Sequence, residues 1–399
     1  MRAVAVSPDG TTALTGSFDT SAILWSLTGN AAQRVFRFHE SAVNAVAFLQ
    51  QGRIIATGGE DGKIAIWLPA QDKPAGILEG HTAPIVALAV SPDGNTIASA
   101  SWDRTVRLIN LSGSGSVRVL EGHNQNVNGV AFTPDGQSLV SAGYDLTLRI
   151  WPLAGGAETI VTLPSPLNAV AVARDGEIVT GSADGRLFFL SPKGELRGEL
   201  AAAETPIISL AISSDGALVA AAGIRGSVAI VDRATRQTAR TLVGPGLPVW
   251  STAFLPDNRT LVTGGTDRMV RRWNAATGDH IGSVPTSAVD DPLAAYAGDP
   301  GAQVYRACIA CHTLSPDEGN RAGPTLHGIF GRKIASLPGY NFSEPLKTMS
   351  IVWTPETVSK LFEIGPMAYT PGTKMPEQII GSAEDRKALV DFLAKATKK

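Results

Sequence analysis

At 399 residues the chain is too long for one ordinary core and is expected to divide into two or three domains. With 44% hydrophobic and 18% charged residues it reads as globular rather than disordered, and a net charge of −2 gives no argument for nucleic acid or an anionic membrane surface. No apolar run approaches the roughly 20 residues needed to span a bilayer, and residues 1–10 read as a short strand and a turn rather than a signal peptide.

From the N-terminus onward one unit recurs: apolar alternation, a Pro-Asp-Gly or similar turn, then a second alternating run ending in an acidic turn. Asp19, Asp61, Asp103 and Asp145 stand 42 apart, Asp184 follows after 39, Arg225 after a further 41 and Asp267 after 42 more. Seven copies result and fill residues 1–284. The units carry Gly80-His81 and Gly122-His123 steps, and Trp25, Trp67, Trp151 and Trp273 close a strand.

These features resemble the WD40 family of β-propellers, which implies a seven-bladed all-β ring over 1–284 with four short strands per blade. In that family a turn aspartate, a histidine, a strand hydroxyl and the tryptophan form a buried hydrogen-bonded set. Two repeats here hold all four, as His39, Thr57, Asp61 and Trp67, and as His123, Ser141, Asp145 and Trp151. The copy with His81, Ser99 and Asp103 has Ile109 in place of tryptophan; repeats five and six have no histidine, and the sixth has Arg225 in place of the aspartate. The polar residues are expected to be structural rather than metal-binding or catalytic, each buried group finding a partner.

Strand phase implies that each blade is one continuous stretch of chain, from an inner strand at Ala3 to Ser7 to an outer strand at Asp279 to Val284. The residue before each turn aspartate is expected on one face of the ring. There Phe18, Trp102 and Tyr144 make a candidate partner-docking patch, against the alternative that they merely cover the blade rim. Residues 285–298, rich in proline, alanine and acid, read as a linker spanning roughly 20 Å as a flexible coil.

Residues 299–399 lose the strand period and show an opening helix from about Pro300 to Cys311, a looped middle, and closing helices near Pro355–Ile364 and Ala383–Ala396. Cys308, Cys311 and His312 stand as Cys-x-x-Cys-His, the attachment pattern of a c-type haem, with the two thiols spaced to meet two vinyl groups and His312 to meet the iron. They are the only two cysteines. A zinc or redox Cys-x-x-Cys is the competing reading, and zinc would want two further Cys or His ligands at a matching spacing.

The segment Gly301 to Cys308, then Gly323-Pro324, Phe330 to Lys333, Tyr369 to Met375 and Leu389 to Leu393, resembles class I, mitochondrial-type cytochrome c. The resemblance implies a small all-α domain over 299–399, one haem c joined through Cys308 and Cys311, and iron held by His312 and Met375. It implies too that Pro324 accepts from His312 and that Arg332, Trp353 and Thr373 hold a haem propionate. His327 is expected to be a loop residue, and Tyr305 and Phe392 to pack the first helix on the last. Phe342 and Phe362 depart from a tyrosine that many relatives keep.

The leading expectation is a carrier passing single electrons between redox proteins, with the propeller as docking platform. The alternatives are a haem redox enzyme and a redox-sensing interaction scaffold. Haem attachment implies a bacterial periplasm, with an export signal expected upstream of the recorded start.

Overall fold

The computed structural model describes residues 1–29, 31–112, 116–243, 248–266, 269–282, 293–306, 308–309, 311–316, 320, 323–340, 342–373, 375 and 378–398. These fall into two compact units, Met1–Val284 and Pro285–Lys399.

The first unit holds seven antiparallel sheets, over residues 3–37, 43–78, 85–120, 127–162, 167–201, 207–243 and 249–274. Within each, strand order follows the chain, so every blade is a meander of hairpins. The inner strand of each blade lies against that of the next, and Val249–Phe254 lies against both Ile207–Ile212 and Ala3–Val6, which closes the ring. At that seam the Phe18 ring meets Trp250 edge-on at 5.8 Å, and the Arg272 guanidinium donates to the Leu27 carbonyl at 2.9 Å. Blades pack face to face, so second strands are buried on both faces and read as unbroken apolar or small runs, as in Thr96–Ser101 and Ser138–Gly143. Each core lies between neighbours: Leu14 and Phe36 of blade 1 pack with Ile55 and Trp67 of blade 2.

Among the described residues the seventh blade has three strands, and of the expected fourth they show one bridge between Trp273 and His280. Beside it the Ile281 amide donates to the Arg272 carbonyl at 2.9 Å, and the His280 ring lies 3.7 Å from Trp273. Ser283 and Val284 lie outside the described residues, as does Asp267.

Blades 2 to 4 hold the expected polar sets. In blade 4 Trp151 donates to the Ser141 hydroxyl at 2.8 Å, Ser141 lies 2.7 Å from His123 Nε2, and His123 Nδ1 lies 3.0 Å from Asp145. The hydroxyl accepts from the indole and also meets Nε2. A carboxylate only accepts, so Nδ1 donates to Asp145. Blade 2 repeats the chain, with Trp67 and His39 on Thr57 and His39 on Asp61 at 3.0 Å. Blade 3 keeps His81 on Asp103 at 2.7 Å and on Ser99 at 2.8 Å, with apolar Ile109 where the indole would stand. Burial opposes the charge on Asp103, but the His81 and Thr105 hydrogen bonds outweigh it and hold the carboxyl well below its usual range. Asp61 and Asp145 are lowered through the same opposition.

Blades 5 and 6 stand without this set. Leu190 and Val231, fully buried, fill the tryptophan positions, and Ala221 replaces the hydroxyl in blade 6. Thr180 instead donates to the Ala169 carbonyl at 2.8 Å. An ionic clasp joins the two blades: Arg233 meets Asp175 at 2.7 Å and buried Glu177 at 2.9 Å, and Arg236 reaches Glu177 at 3.4 Å.

The second unit is helical: α1 Pro300–Tyr305, α2 Glu344–Lys347, α3 Pro355–Ile364, α4 Pro366–Tyr369 and α5 Ala383–Ala396. Asp299 caps α1 by accepting from Gly301 and Ala302. Helix α1 crosses α5 so closely at Gly301 that a Cβ there would collide with the Ala388 carbonyl. Regular helix stops at Tyr305 rather than Cys311, because the chain tightens into shorter turns: Cys308 N–H donates to Tyr305 at 2.7 Å and Cys311 N–H to Cys308 at 3.1 Å. Helices α3 and α5 stand where the sequence places them, and the short α4 between them was not expected. Thr354 and Thr357 cap α3 reciprocally, and Ser382 caps α5. Of the expected linker, 285–292 lie outside the described residues, while Ala294–Tyr296 form a 3-10 turn beside buried Leu293. The stretch from Leu293 is folded because apolar Leu293 and Tyr296 have a surface to bury against: the Tyr296 ring packs on Phe392 at 5.1 Å.

Two outcomes follow for the propeller. Ser141→Ala leaves the Trp151 N–H and His123 Nε2 without their partner and is expected to cost about 2–4 kcal/mol, against about 1 kcal/mol for Thr180→Ala; denaturant unfolding measures both. Because the folded pKa values of Asp61, Asp103 and Asp145 lie below the unfolded value, their contribution is complete at neutral pH and is lost as pH falls. The propeller's Tm is expected to be flat with respect to these groups above about pH 5 and to drop below about pH 4, with a shallower drop in Asp145→Asn.

Candidate functional site

The short turns after α1 bring Cys308, Cys311 and His312 together, since the His312 amide donates to the Cys308 carbonyl at 2.9 Å. Cys308 is buried, and burial pushes its thiol up to about 12. Cys311 is half-buried. The loop after α1 then returns: Gly323 N–H donates to the Cys311 carbonyl at 2.8 Å, and His312 Nδ1 lies 2.8 Å from the Pro324 carbonyl. A carbonyl only accepts, so Nδ1 carries a proton, and in the neutral ring the lone pair is then on Nε2. Gly323 lies against the imidazole so tightly that a Cβ would collide with Cε1.

Two backbone exchanges bring Arg332 and Trp353 to one place: Trp353 N–H donates to the Arg332 carbonyl at 2.9 Å, and Gly331 N–H to the Trp353 carbonyl at 2.8 Å. The Arg332 guanidinium donates to the carbonyls of Thr325 at 2.8 Å and His327 at 3.2 Å. Burial alone lowers its pKa, and among the described residues no carboxylate pairs with it. A half-buried cation held only by carbonyls suits an incoming anionic group. Thr373 is not joined to this pair by any contact among the described residues; its hydroxyl accepts from the Met375 amide at 3.1 Å and so shapes the methionine loop. That loop reaches the cysteines through Gln378, whose Oε1 lies 4.0 Å from Cys308 Sγ.

His327 ties its loop through main-chain atoms, accepting from Arg332 and donating to Thr325 Oγ1 at 3.3 Å. Tyr305 and Phe392 pack together at 5.4 Å, and Phe342 lies 4.7 Å from Tyr340. Two features had no sequence signal, the Gly323 wall against the imidazole and the Tyr305 hydroxyl, which donates to the His312 carbonyl at 3.2 Å. The donor set fits a covalently held haem: paired thiols, an imidazole oriented from Nδ1, a methionine loop brought near, and a waiting cation.

On the propeller the seven residues before the turn aspartates are half-buried. Phe18 is used against Trp250, and the Trp102 indole donates to Asn128 of the next blade at 3.1 Å, so part of the aromatic set holds blades together.

The family pattern described as "WD domain, G-beta repeat" matches residues 1–26, 31–67, 72–110, 114–152 and 236–274, and "Cytochrome c" matches 298–397. The stretch between the fourth and fifth WD matches holds blade 5 and most of blade 6, whose polar sets are lost. Cytochrome c of Cochliobolus lunatus is 41% identical over 99 residues, 25% of this chain and 91% of that protein. Cytochrome c of Arabidopsis thaliana is 41% identical over 99 residues, 25% of this chain and 88% of that protein. Cytochrome c-554 of Methylosinus trichosporium is 41% identical over 109 residues, 27% of this chain and 82% of that protein.

Gly323→Ala is expected to cost about 1–3 kcal/mol and to push the His312 ring aside, seen as a high-spin component in the ferric optical spectrum. Gly381→Ala, which faces open space, is the control expected to leave both readings unchanged.

Proposed function

The chain belongs to the cytochrome c family through residues 298–397, and from that premise we propose that it is a single-electron carrier whose WD40 propeller docks its redox partners. The group concerned is one c-type haem bound covalently at Cys308 and Cys311, and when bound it supplies a one-electron iron(III)/iron(II) couple.

The observation that carries the reading is the 2.8 Å bond from His312 Nδ1 to Pro324. It puts a proton on Nδ1 and would leave Nε2 as the ligating atom, as an outer-shell carbonyl does for metal-bound imidazoles. Met375 would hold the iron as well, through a soft thioether that favours the ferrous state and raises the potential. With His312 and Met375 both holding the iron, the centre would be suited to passing electrons rather than to binding and transforming a substrate. Arg332 and Trp353 would supply donors to a buried propionate and so compensate its charge.

The propeller's part is partner selection. WD40 repeats suggest protein interaction, and the face bearing Phe18, Trp102 and Tyr144 supplies apolar anchors among polar turns. Among the described residues no helix is long and apolar enough to cross a membrane. We assign the protein to a bacterial periplasm, where haem attachment takes place; cell fractionation tests this.

Exported protein, made alongside haem-attachment machinery, is expected to carry the mass of one haem. Its ferric form should show the weak far-red band of sulfur–iron bonding and bind cyanide slowly. In Met375→His that band disappears and the midpoint potential falls by about 0.2 V, a part of the roughly 0.8 V that axial ligands command. A Met375→His protein with unchanged spectrum and potential removes the methionine from the site. Tyr144→Ala is expected to slow electron exchange with a periplasmic redox extract several-fold at an unchanged haem spectrum; an equal rate removes the docking face.

A further inference from the structure

Tyr305 is fully buried at the end of α1, and its hydroxyl donates to the His312 main-chain carbonyl at 3.2 Å. A phenyl ring would fill the same space against Phe392, so packing does not call for the oxygen. The hydroxyl adds a link of its own, to the backbone of the residue whose ring is fixed by Pro324 on one side and walled by Gly323 on another.

Behind Tyr305 the aromatic contact continues. Phe392 of α5 lies 5.4 Å from Tyr305 and 5.1 Å from Tyr296, edge-on to the latter. The Lys395 ammonium sits 5.5 Å over the Tyr296 ring and pairs at 3.2 Å with Asp299, the cap of α1. Three rings in sequence therefore join the first folded turn of the unit to the His312 carbonyl. A hydrogen bond between a rigidly packed phenol and a main-chain carbonyl restricts that peptide, and the imidazole plane turns with it.

We propose that Tyr305 is a positioning residue for electron transfer: its hydroxyl sets the plane of the His312 imidazole, and Phe392 and Tyr296 hold that hydroxyl in place. The proposal rests on His312 being the proximal ligand, and it concerns the orientation of that ligand rather than its presence.

The test uses the full-length holoprotein and its ferric proton NMR spectrum, because the spread of the four haem-methyl resonances reports the orientation of the axial imidazole plane. Tyr305→Phe is expected to shift these resonances and change their spread while the far-red methionine band persists. Tyr296→Leu keeps the hydroxyl but removes the ring that seats Phe392, and is expected to move the same resonances in the same sense by a smaller amount. A Tyr305→Phe spectrum that superimposes on the native one, even with lower thermal stability, overturns the proposal and leaves packing alone. So does a shift in Tyr296→Leu without one in Tyr305→Phe. Failure of the underlying ligand assignment is seen separately, as a native ferric protein that lacks the low-spin histidine–methionine signature before any substitution is made.

Discussion

The site of one proton, Nδ1 of a histidine ring, is settled the same way in both halves of this molecule. In blades 2 to 4 that nitrogen faces an aspartate, and in the second unit His312 Nδ1 faces the Pro324 carbonyl. Each partner only accepts, so Nδ1 carries a proton and the ring is pinned from that side. In the propeller Nε2 meets a buried hydroxyl. In His312 it is the atom an iron would take. One chemical constraint thus serves cohesion in one unit and cofactor chemistry in the other.

Much of this was legible in the chain. The 42-residue period fixes blade number because every copy must bury its faces against neighbours, so loss of the polar set does not erase the blade. Cys308, Cys311 and His312 were readable because covalent attachment ties chemistry to short spacing, and Pro324 only through the resemblance to cytochrome c. The remainder depends on contacts distant in sequence. Nothing near Tyr305 tells that its hydroxyl lands on residue 312, and nothing near Asp175 tells that its cation comes from Arg233. The opening helix ends six residues early because tight turns compete with α-helix over a stretch too short for periodicity to decide. Composition also hid the folded part of the expected linker, since Leu293 and Tyr296 gain their meaning only from the surface they meet.

Blades 5 and 6 show that the buried polar set is one solution among several. Leucine and valine in the tryptophan positions remove the need for a buried donor to find an acceptor. What is lost is directionality, because apolar contact tolerates sliding where a four-member hydrogen-bond chain does not. The clasp of Arg233 and Arg236 on Asp175 and Glu177 restores a fixed register at the seam between the two.

The crossing of α1 and α5 at Gly301 and Ala388 bears on the order of events during maturation. That contact spans most of the domain, so loop closure delays it until nearly the whole segment is available. Cys308 is buried in the folded unit, so its thiol would be more open to attachment chemistry before that contact forms. The late-closing helices would then act as a latch that drops once the cofactor is in hand.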